Sequence, residues 1–444
     1  MHTSLEVGVR VTISPSESST TTPGAGAGTL LRRAWLVWSV AAACYFVALF
    51  HRASLAVAAD AALARFGAGP AALSVLSALQ LGIYLALQIP AGVLADRIGP
   101  RRVITVATLA LAAGSAVFAI SASLVGGLAG RALIGLGDAF LFTNVLRLAA
   151  HWFPADRFGR VAALTGLVGG VGQLAATAPL ATSLRVLGWL GTFLGAAALT
   201  AMLAVLAWAA VRDRPENSGH GGAGERPSTS PEAEPVRAAL RGVVGTSGTW
   251  HSFWVHFVMM GQFVAVTVLW GPPWLMRAQG YGAAAAGNWV LLCVAGFLVG
   301  AWLCGQFVAG RALRRERFVL ALSVLLVAVW ATVIGWSGVI PAALLAVLLV
   351  LIGFGGGAAM LAFDGARAAN AVHRSGLAVG TANMGGFTAA VLIQLAVGGV
   401  LRLTEGLPAD PSYRLAYVPV LLLVVLGMFG QARQSRRVWR DSRG

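Results

Sequence analysis

Arg52, Arg131 and Asp138 stand inside long apolar stretches of this sequence. Charge placed in hydrocarbon is expensive and faces a cavity or a partner. An arginine there can hold a carboxylate or phosphate through charge-assisted hydrogen bonds, or snorkel its head group to the nearer interface. Tyr45 precedes Arg52 by two helical turns and shares its face, so both are candidates for a solute site. Asp138 is the one acid well inside an apolar stretch. Its carboxylate suits a proton carrier, and equally a structural polar network. Arg131 lies on the same helical face about 10 Å away along the axis, which puts direct contact out of reach unless the side chains extend or a water intervenes. Asp138 and Arg131 are the candidate proton-coupling residues.

Polar side chains recur at helical spacing elsewhere. Gln80, Tyr84 and Gln88 form an i, i+4, i+8 stripe that must face protein or water rather than lipid. Gln80 and Tyr84 join the candidate solute site, with helix eleven as the other possible neighbour. Asp364 and Arg367 are spaced to pair on one helix face. Trp270-Gly271-Pro272-Pro273 is expected to break or bend its helix, and Asn383, Gly385 and Gly386 permit close packing. Between two apolar segments runs Gly92-Val93-Leu94-Ala95-Asp96-Arg97-Ile98-Gly99-Pro100-Arg101-Arg102, a polar turn with an acid, glycines and arginines at fixed offsets. Asp156 is a plausible partner for Arg101 or Arg102. His51, His256 and His373 lack metal-ligand spacing, and neither a P-loop nor a nucleophile elbow is present. No cofactor, metal or enzymatic activity is expected.

The elements that position these residues follow from composition. The 444 residues are 58% hydrophobic and 11% charged, with mean hydropathy +0.79. Soluble chains carry roughly a quarter charged residues, and the apolar residues here come in runs of about 20, the length of a bilayer-spanning helix. Twelve segments can be drawn at 34–58, 72–95, 103–122, 124–148, 161–182, 188–211, 251–276, 284–308, 318–337, 341–363, 376–401 and 415–431. The fold class is an all-α polytopic membrane protein. Residues 1–33 read as a disordered tail, 34–211 as a first six-helix bundle, 212–249 as a linker rich in Gly, Ser, Pro and Glu, 250–431 as a second bundle and 432–444 as a basic tail. The end of the linker, 235–244, has the pattern of an amphipathic surface helix.

The net charge of +16 comes from arginine alone among the basic residues. About 23 arginines fall on one side of the twelve segments and about 5 on the other, a bias that places both termini in the cytoplasm. This asymmetry argues for membrane topology and against nucleic acid as a partner. Leu133-Ile134-Gly135-Leu136-Gly137 and Leu351-Ile352-Gly353-Phe354-Gly355 form a weak internal repeat between helices four and ten. Gly305, Arg314 and Arg315 repeat part of the polar turn, with Ala309 where the acid would stand.

On these residues the chain resembles the major facilitator superfamily. The loop signature after helix two matches at Gly92, Asp96, Arg97, Gly99, Arg101 and Arg102, and the helix-four signature at Arg131, Gly135 and Gly137. Ile134 replaces the usual glutamine of that signature, and Asp138 a usually small residue. Tyr45-Phe46-Val47-Ala48-Leu49-Phe50-His51-Arg52 is similar to helix one of organophosphate and sugar-acid permeases, which place an arginine there for an anionic group. Organophosphate members add a basic residue in helix seven; here that helix offers His256 and Gln262, and Gln262 joins the candidate site.

The resemblance implies two pseudo-symmetric bundles rocking about a central cavity, with the loop as a conformational gate and Asp96 facing the start of helix eleven. A monomeric transporter of the inner, or plasma, membrane follows, carrying a small organic anion with protons. A proton-antiport exporter of a drug or metabolite and a non-transporting sensor with the same fold are the alternatives.

Overall fold

The computed structural model describes residues 25–88, 90–91, 98–215, 235–307, 312–371 and 374–441, and every regular element among them is helical. A backbone crossing lipid must satisfy its own N–H and C=O groups, which a helix does within one segment. In chain order the helices are α1 (Ala25–Val57), α2 (Ala59–Phe66), α3 (Pro70–Ala86), α4 (Pro100–Ile120), α5 (Leu124–Trp152), α6 (Ala155–Ala175), α7 (Ala178–Ala210) and α8 (Val236–Gly245). There follow α9 (Ser247–Ala265), a π-helical turn (Val266–Trp270), α10 (Gly271–Arg277), α11 (Ala283–Phe307) and α12 (Ala312–Gly335). The chain closes with α13 (Ala342–Ala358), α14 (Leu361–Ala368), α15 (Ser375–Leu403) and α16 (Ala409–Asp441).

Among the described residues ten helices are long and apolar enough to cross a bilayer, and α2 with α3, bent by 108°, makes an eleventh. The longest, Leu164–Ala210, has 47 residues, more than twice the roughly 20 that one crossing needs. Gly188 inside α7 adopts φ 66 and ψ −176, and Ser183 Oγ lies 3.1 Å from Thr192 Oγ1. Along a continuous helix those residues would stand about 13 Å apart, so the chain reverses at Gly188. Helix α1 confirms the reversal. It runs parallel to the first arm, with Trp38 Nε1 donating to Thr165 Oγ1 at 3.0 Å and Ala53 packed near Ala176 and Leu180. It opposes the second, where Cys44 meets Leu203 and His51 meets Thr200. Counting the two arms of Leu164–Ala210 separately gives twelve crossings among the described residues, and Val106, Trp208, Trp302 and Phe429, 63–65% exposed, face outward as lipid-contacting side chains do.

The glycine repeat acquires a physical meaning here. A Cβ on Gly135 of α5 would come 2.6 Å from the Gln80 carbonyl oxygen of α3, and Gly353 of α13 lies in the same way on the Cys293 backbone of α11. Crossing four packs on crossing two as crossing ten packs on crossing eight. This equivalence is the pseudo-symmetry of two six-helix bundles.

Three local expectations are corrected. The Trp270-Gly271-Pro272-Pro273 run does not break its helix: the chain stays helical from Ser247 to Arg277, because the π turn closes with the Gly271 N–H on the Val266 carbonyl and the two prolines then take the first positions of the next α-helical segment, where no N–H is needed. Trp270 is anchored instead, its Nε1 donating to the Gln394 carbonyl and its own carbonyl accepting from Tyr417 Oη, each at 3.3 Å. The amphipathic segment is helical as α8, yet it buries Val243 against Ala366, Ala378 and Ala382 of α14 and α15, so it docks on protein. Asp364 and Arg367 make no ion pair among the described residues, since Arg367 projects into the open while Asp364 is half-buried.

The bundles meet firmly at the end opposite the termini. Asp60 of α2 pairs with Arg277 at the close of α10, Ser74 of α3 presses on Gly398 of α15, and one apolar cluster joins Leu55, Leu73 and Leu76 to Trp270, Trp274 and Val397.

Candidate solute and proton site

Arg52 does not snorkel. Its side chain, on α1, is 6% exposed and reaches across the first bundle to Asp138 of α5. Nε donates to Oδ2 at 2.7 Å and Nη2 to Oδ1 at 2.8 Å, a two-pronged pair with Asp138 wholly buried. The fork of a guanidinium matches the two oxygens of a carboxylate, which makes this geometry specific as well as strong. Above the pair, Arg52 Cζ lies 4.5 Å from the centre of the Tyr84 ring and 5.5 Å from that of Phe387. Those rings are 4.5 Å apart. Tyr84 belongs to α3 and Phe387 to α15, so residues of both bundles cover one ion pair. Two aromatic faces over a desolvated cation are worth about 0.5–2 kcal/mol each.

The remaining candidates divide. Tyr45 is half-buried beside Phe142, ring centres 5.3 Å apart, with Gly169 of α6 making room for it. Gln80 is buried next to Asp138, and its amide nitrogen and oxygen have no hydrogen-bond partner among the described residues. The stripe continues to Gln88, whose Oε1 accepts from Asn383 Nδ2 of α15 at 3.4 Å. Tyr84 and Gln88 therefore face crossing eleven, α15, while Gln80 lies toward α5.

Gln262 does not join this group. Its Nε2 donates to the Met259 and Ile352 carbonyls at 3.0 and 3.1 Å, and its Oε1 accepts from Trp330 Nε1 at 3.3 Å. A polar residue on helix seven looked like a cavity wall; it is an internal brace of the second bundle.

Arg131 and Asp138 share a helix without touching, as their spacing implies. Arg131 is fully buried, its Nη1 donates to the His51 carbonyl of α1 at 3.0 Å, and its Cζ lies 5.6 Å from the Phe118 ring centre. Its Nε and Nη2 have no partner among the described residues. His51 closes the layer: Nε2 is 2.9 Å from Thr200 Oγ1, whose hydroxyl donates to the Ala196 carbonyl. Two arginines and one carboxylate give this buried cluster one positive charge in excess.

Of the loop signature, Gly92, Asp96 and Arg97 lie outside the described residues. Gly99 precedes α4 with φ 88, a left-handed conformation that favours glycine. Asp213 caps the helix that follows: its Oδ1 accepts the Arg101 N–H at 2.7 Å, and a Cβ on Gly99 would meet its Oδ2 at 2.7 Å. A carboxylate at a helix N-terminus satisfies an orphan donor and the helix dipole together. The Arg101 guanidinium donates to the Trp208 carbonyl at 3.1 and 2.7 Å, while Arg102 is exposed. Asp213 is therefore an acid at Arg101, and the side chain of Asp156 lies outside the described residues.

Sequence reasoning missed Phe387, Phe142 and Asp213. Phe387 had a signal, since it follows Asn383 by one helical turn on a face already marked as close-packed. Phe142 had none.

The sequence profile of the Major Facilitator Superfamily matches residues 41–393. Over 240 residues the chain is 22% identical to the Probable sulfoacetate transporter SauU of Cupriavidus necator, covering 53% of this chain and 56% of that one. The chain thus spans about half the length of the curated relative it matches. A crystal structure of a bacterial homologue of the human lysosomal transporter Spinster, inward-facing and unoccupied, superposes with TM-score 0.72 at 15% identity, covering 92% of this chain and 98% of that chain. The occupied form gives TM-score 0.66, also at 15% identity, over 90% and 96%. These likenesses show the fold.

Proposed function

The chain belongs to the major facilitator superfamily of membrane transporters, and from that premise we propose that it moves a small organic anion together with protons by alternating access. The observation that carries this reading is the buried Arg52–Asp138 pair under Tyr84 and Phe387. At rest the pair is neutral. When a solute carboxylate or sulfonate takes the guanidinium and a proton takes Asp138, the site is neutral again.

Protonation of Asp138 alone leaves two buried arginines without a counter-charge, which costs several kcal/mol, and an arriving anion removes that cost. At about 1.4 kcal/mol per tenfold, such a penalty makes the proton-only state rare and tightens anion binding once Asp138 is protonated, and this is coupling. The excess positive charge from Arg131 draws an anion in preference to a neutral solute. Tyr45 and Gln80 flank the pair and complete the solute site in this proposal. The relative named for sulfoacetate, a small anion, is consistent with it.

The arginine bias supports placing both termini in the cytoplasm of the inner membrane. The rocking bodies are then 34–211 and 250–431, joined by 212–249, and Asp96 serves as a cytoplasmic latch when the cavity faces outward. The protein acts as a monomer in this account.

The test is a proteoliposome uptake screen of carboxylates, sulfonates, phosphates and neutral sugars, for wild type and Arg52→Gln. Saturable uptake of an anion class that Arg52→Gln abolishes is expected. Equal uptake by both proteins, or preference for neutral sugars, would overturn the assignment.

A further inference from the structure

A second polar site lies far from the bundle centre, where the start of α9, the start of α12 and the end of α16 converge. His251, Glu316, Arg317, Gln431 and Ser435 line a cleft of about 120 Å³ there, with Leu320 at its rim. That is smaller than the roughly 300–1,000 Å³ of clefts that enclose drug-sized ligands. The crossings begin at Ser247 and Arg314 and end at Arg437, so the cleft sits at headgroup depth.

The chemistry of the lining is unusual in one respect. Glu316 and Arg317 are sequence neighbours of opposite charge facing one cleft, yet they make no ion pair with each other among the described residues. Among the described residues Glu316 Oε2 accepts from Ser435 Oγ alone, at 3.0 Å. Gln431, 1% exposed, has its Oε1 held by Ser323 Oγ at 2.8 Å, while its Nε2 donor has no partner among the described residues. The cleft lining thus includes a carboxylate, a guanidinium and an amide N–H.

Outside the cleft, Leu320 and Val324 of α12 and Leu422, Leu426 and Phe429 of α16 form an exposed apolar strip running toward the membrane interior. Arg314, Arg433, Arg436 and Arg437 lie around the same end. A small polar cleft carrying both charges, opening onto an apolar strip, has the shape of a lipid's polar and apolar parts.

We propose that this cleft seats the headgroup of a phospholipid carrying both a phosphate and a primary ammonium, as phosphatidylethanolamine does. The phosphate accepts from Arg317 and Gln431 Nε2, the ammonium donates to Glu316, and the acyl chains lie along the strip. A purely anionic headgroup such as phosphatidylglycerol meets Glu316 with nothing to offer it. Phosphatidylcholine brings a cation with no N–H to donate. Basic inter-helix pockets at headgroup depth hold lipid headgroups in general; the carboxylate makes this one selective.

The test uses the full purified chain, exchanged into detergent with equal amounts of phosphatidylethanolamine, phosphatidylglycerol and phosphatidylcholine, with retained lipid read by native mass spectrometry. Wild type should retain phosphatidylethanolamine preferentially. Glu316→Gln should lower that retention about tenfold, the scale of one lost charged hydrogen bond, and leave phosphatidylglycerol unaffected. Arg317→Gln should weaken both. Wild type without a preference, or variants with unchanged retention of phosphatidylethanolamine, would overturn the site; the wild-type comparison decides even if a variant fails to fold.

Discussion

Removing one member of the Arg52–Asp138 pair should destabilise the protein more than removing both, and by amounts that charge counting orders. In the wild type the buried cluster holds Arg52, Arg131 and Asp138, one positive charge in excess. Asp138→Asn leaves two arginines and no carboxylate. Breaking a buried pair this way costs about 3–5 kcal/mol. Arg52→Gln leaves Arg131 with Asp138, balanced in charge, and loses two charged hydrogen bonds worth about 1.5–3 kcal/mol each, about 3 kcal/mol or more together. The double variant returns to one positive charge and should lose about 2 kcal/mol or less, giving a coupling of about 4 kcal/mol or more.

A thiol-reactive dye suits the assay, because Cys44, Cys293 and Cys304 are all buried and become reactive on unfolding. At about 2 °C per kcal/mol for a large chain, Asp138→Asn should lower the unfolding midpoint by roughly 6–10 °C. The double variant should recover most of that. A double variant as unstable as the sum of the two singles would refute the charge argument.

Two further outcomes follow from packing and from the end remote from the termini. Gly135→Ala should lower the same midpoint by a few degrees, since its Cβ would press on the Gln80 carbonyl and overpacking costs about 1–3 kcal/mol; Gly166→Ala, with open space around it, should be neutral or stabilising. Asp60→Ala and Arg277→Ala each remove the exposed ion pair bridging the bundles. A surface pair contributes only about 0.2–1 kcal/mol, so spin-label distances across that end should show the open population rising at most about fivefold.

The fold was legible because lipid imposes a coarse rule: runs of about twenty apolar residues must be helices, and short polar turns must separate them. The LIGLG and LIGFG repeat carried the pseudo-symmetry for a local reason, the need for backbone contact at Gly135 and Gly353. The site was half legible. The types of Arg52, Asp138 and Tyr84 in apolar surroundings marked them, but their partners did not follow from helical periodicity. Asp138 shares a helix face with Arg131 at a spacing that puts contact out of reach, and its counter-charge stands 86 positions away on α1. Gln262 misled for the converse reason, because a buried amide can be satisfied wholly by carbonyls and an indole inside one bundle. Asp213 had the look of linker and proved to be a helix cap, since capping by a residue over a hundred positions distant leaves no trace in local sequence.

The central claim is that Asp138 carries the proton whose arrival frees Arg52 for an anion. The direct measurement compares two modes of transport by Asp138→Asn in proteoliposomes, using the anion identified by the uptake screen. Asparagine imitates the protonated acid, so solute exchange at equal pH should persist near the wild-type rate while accumulation driven by a pH gradient disappears. Accumulation in Asp138→Asn equal to that of the wild type would contradict the account.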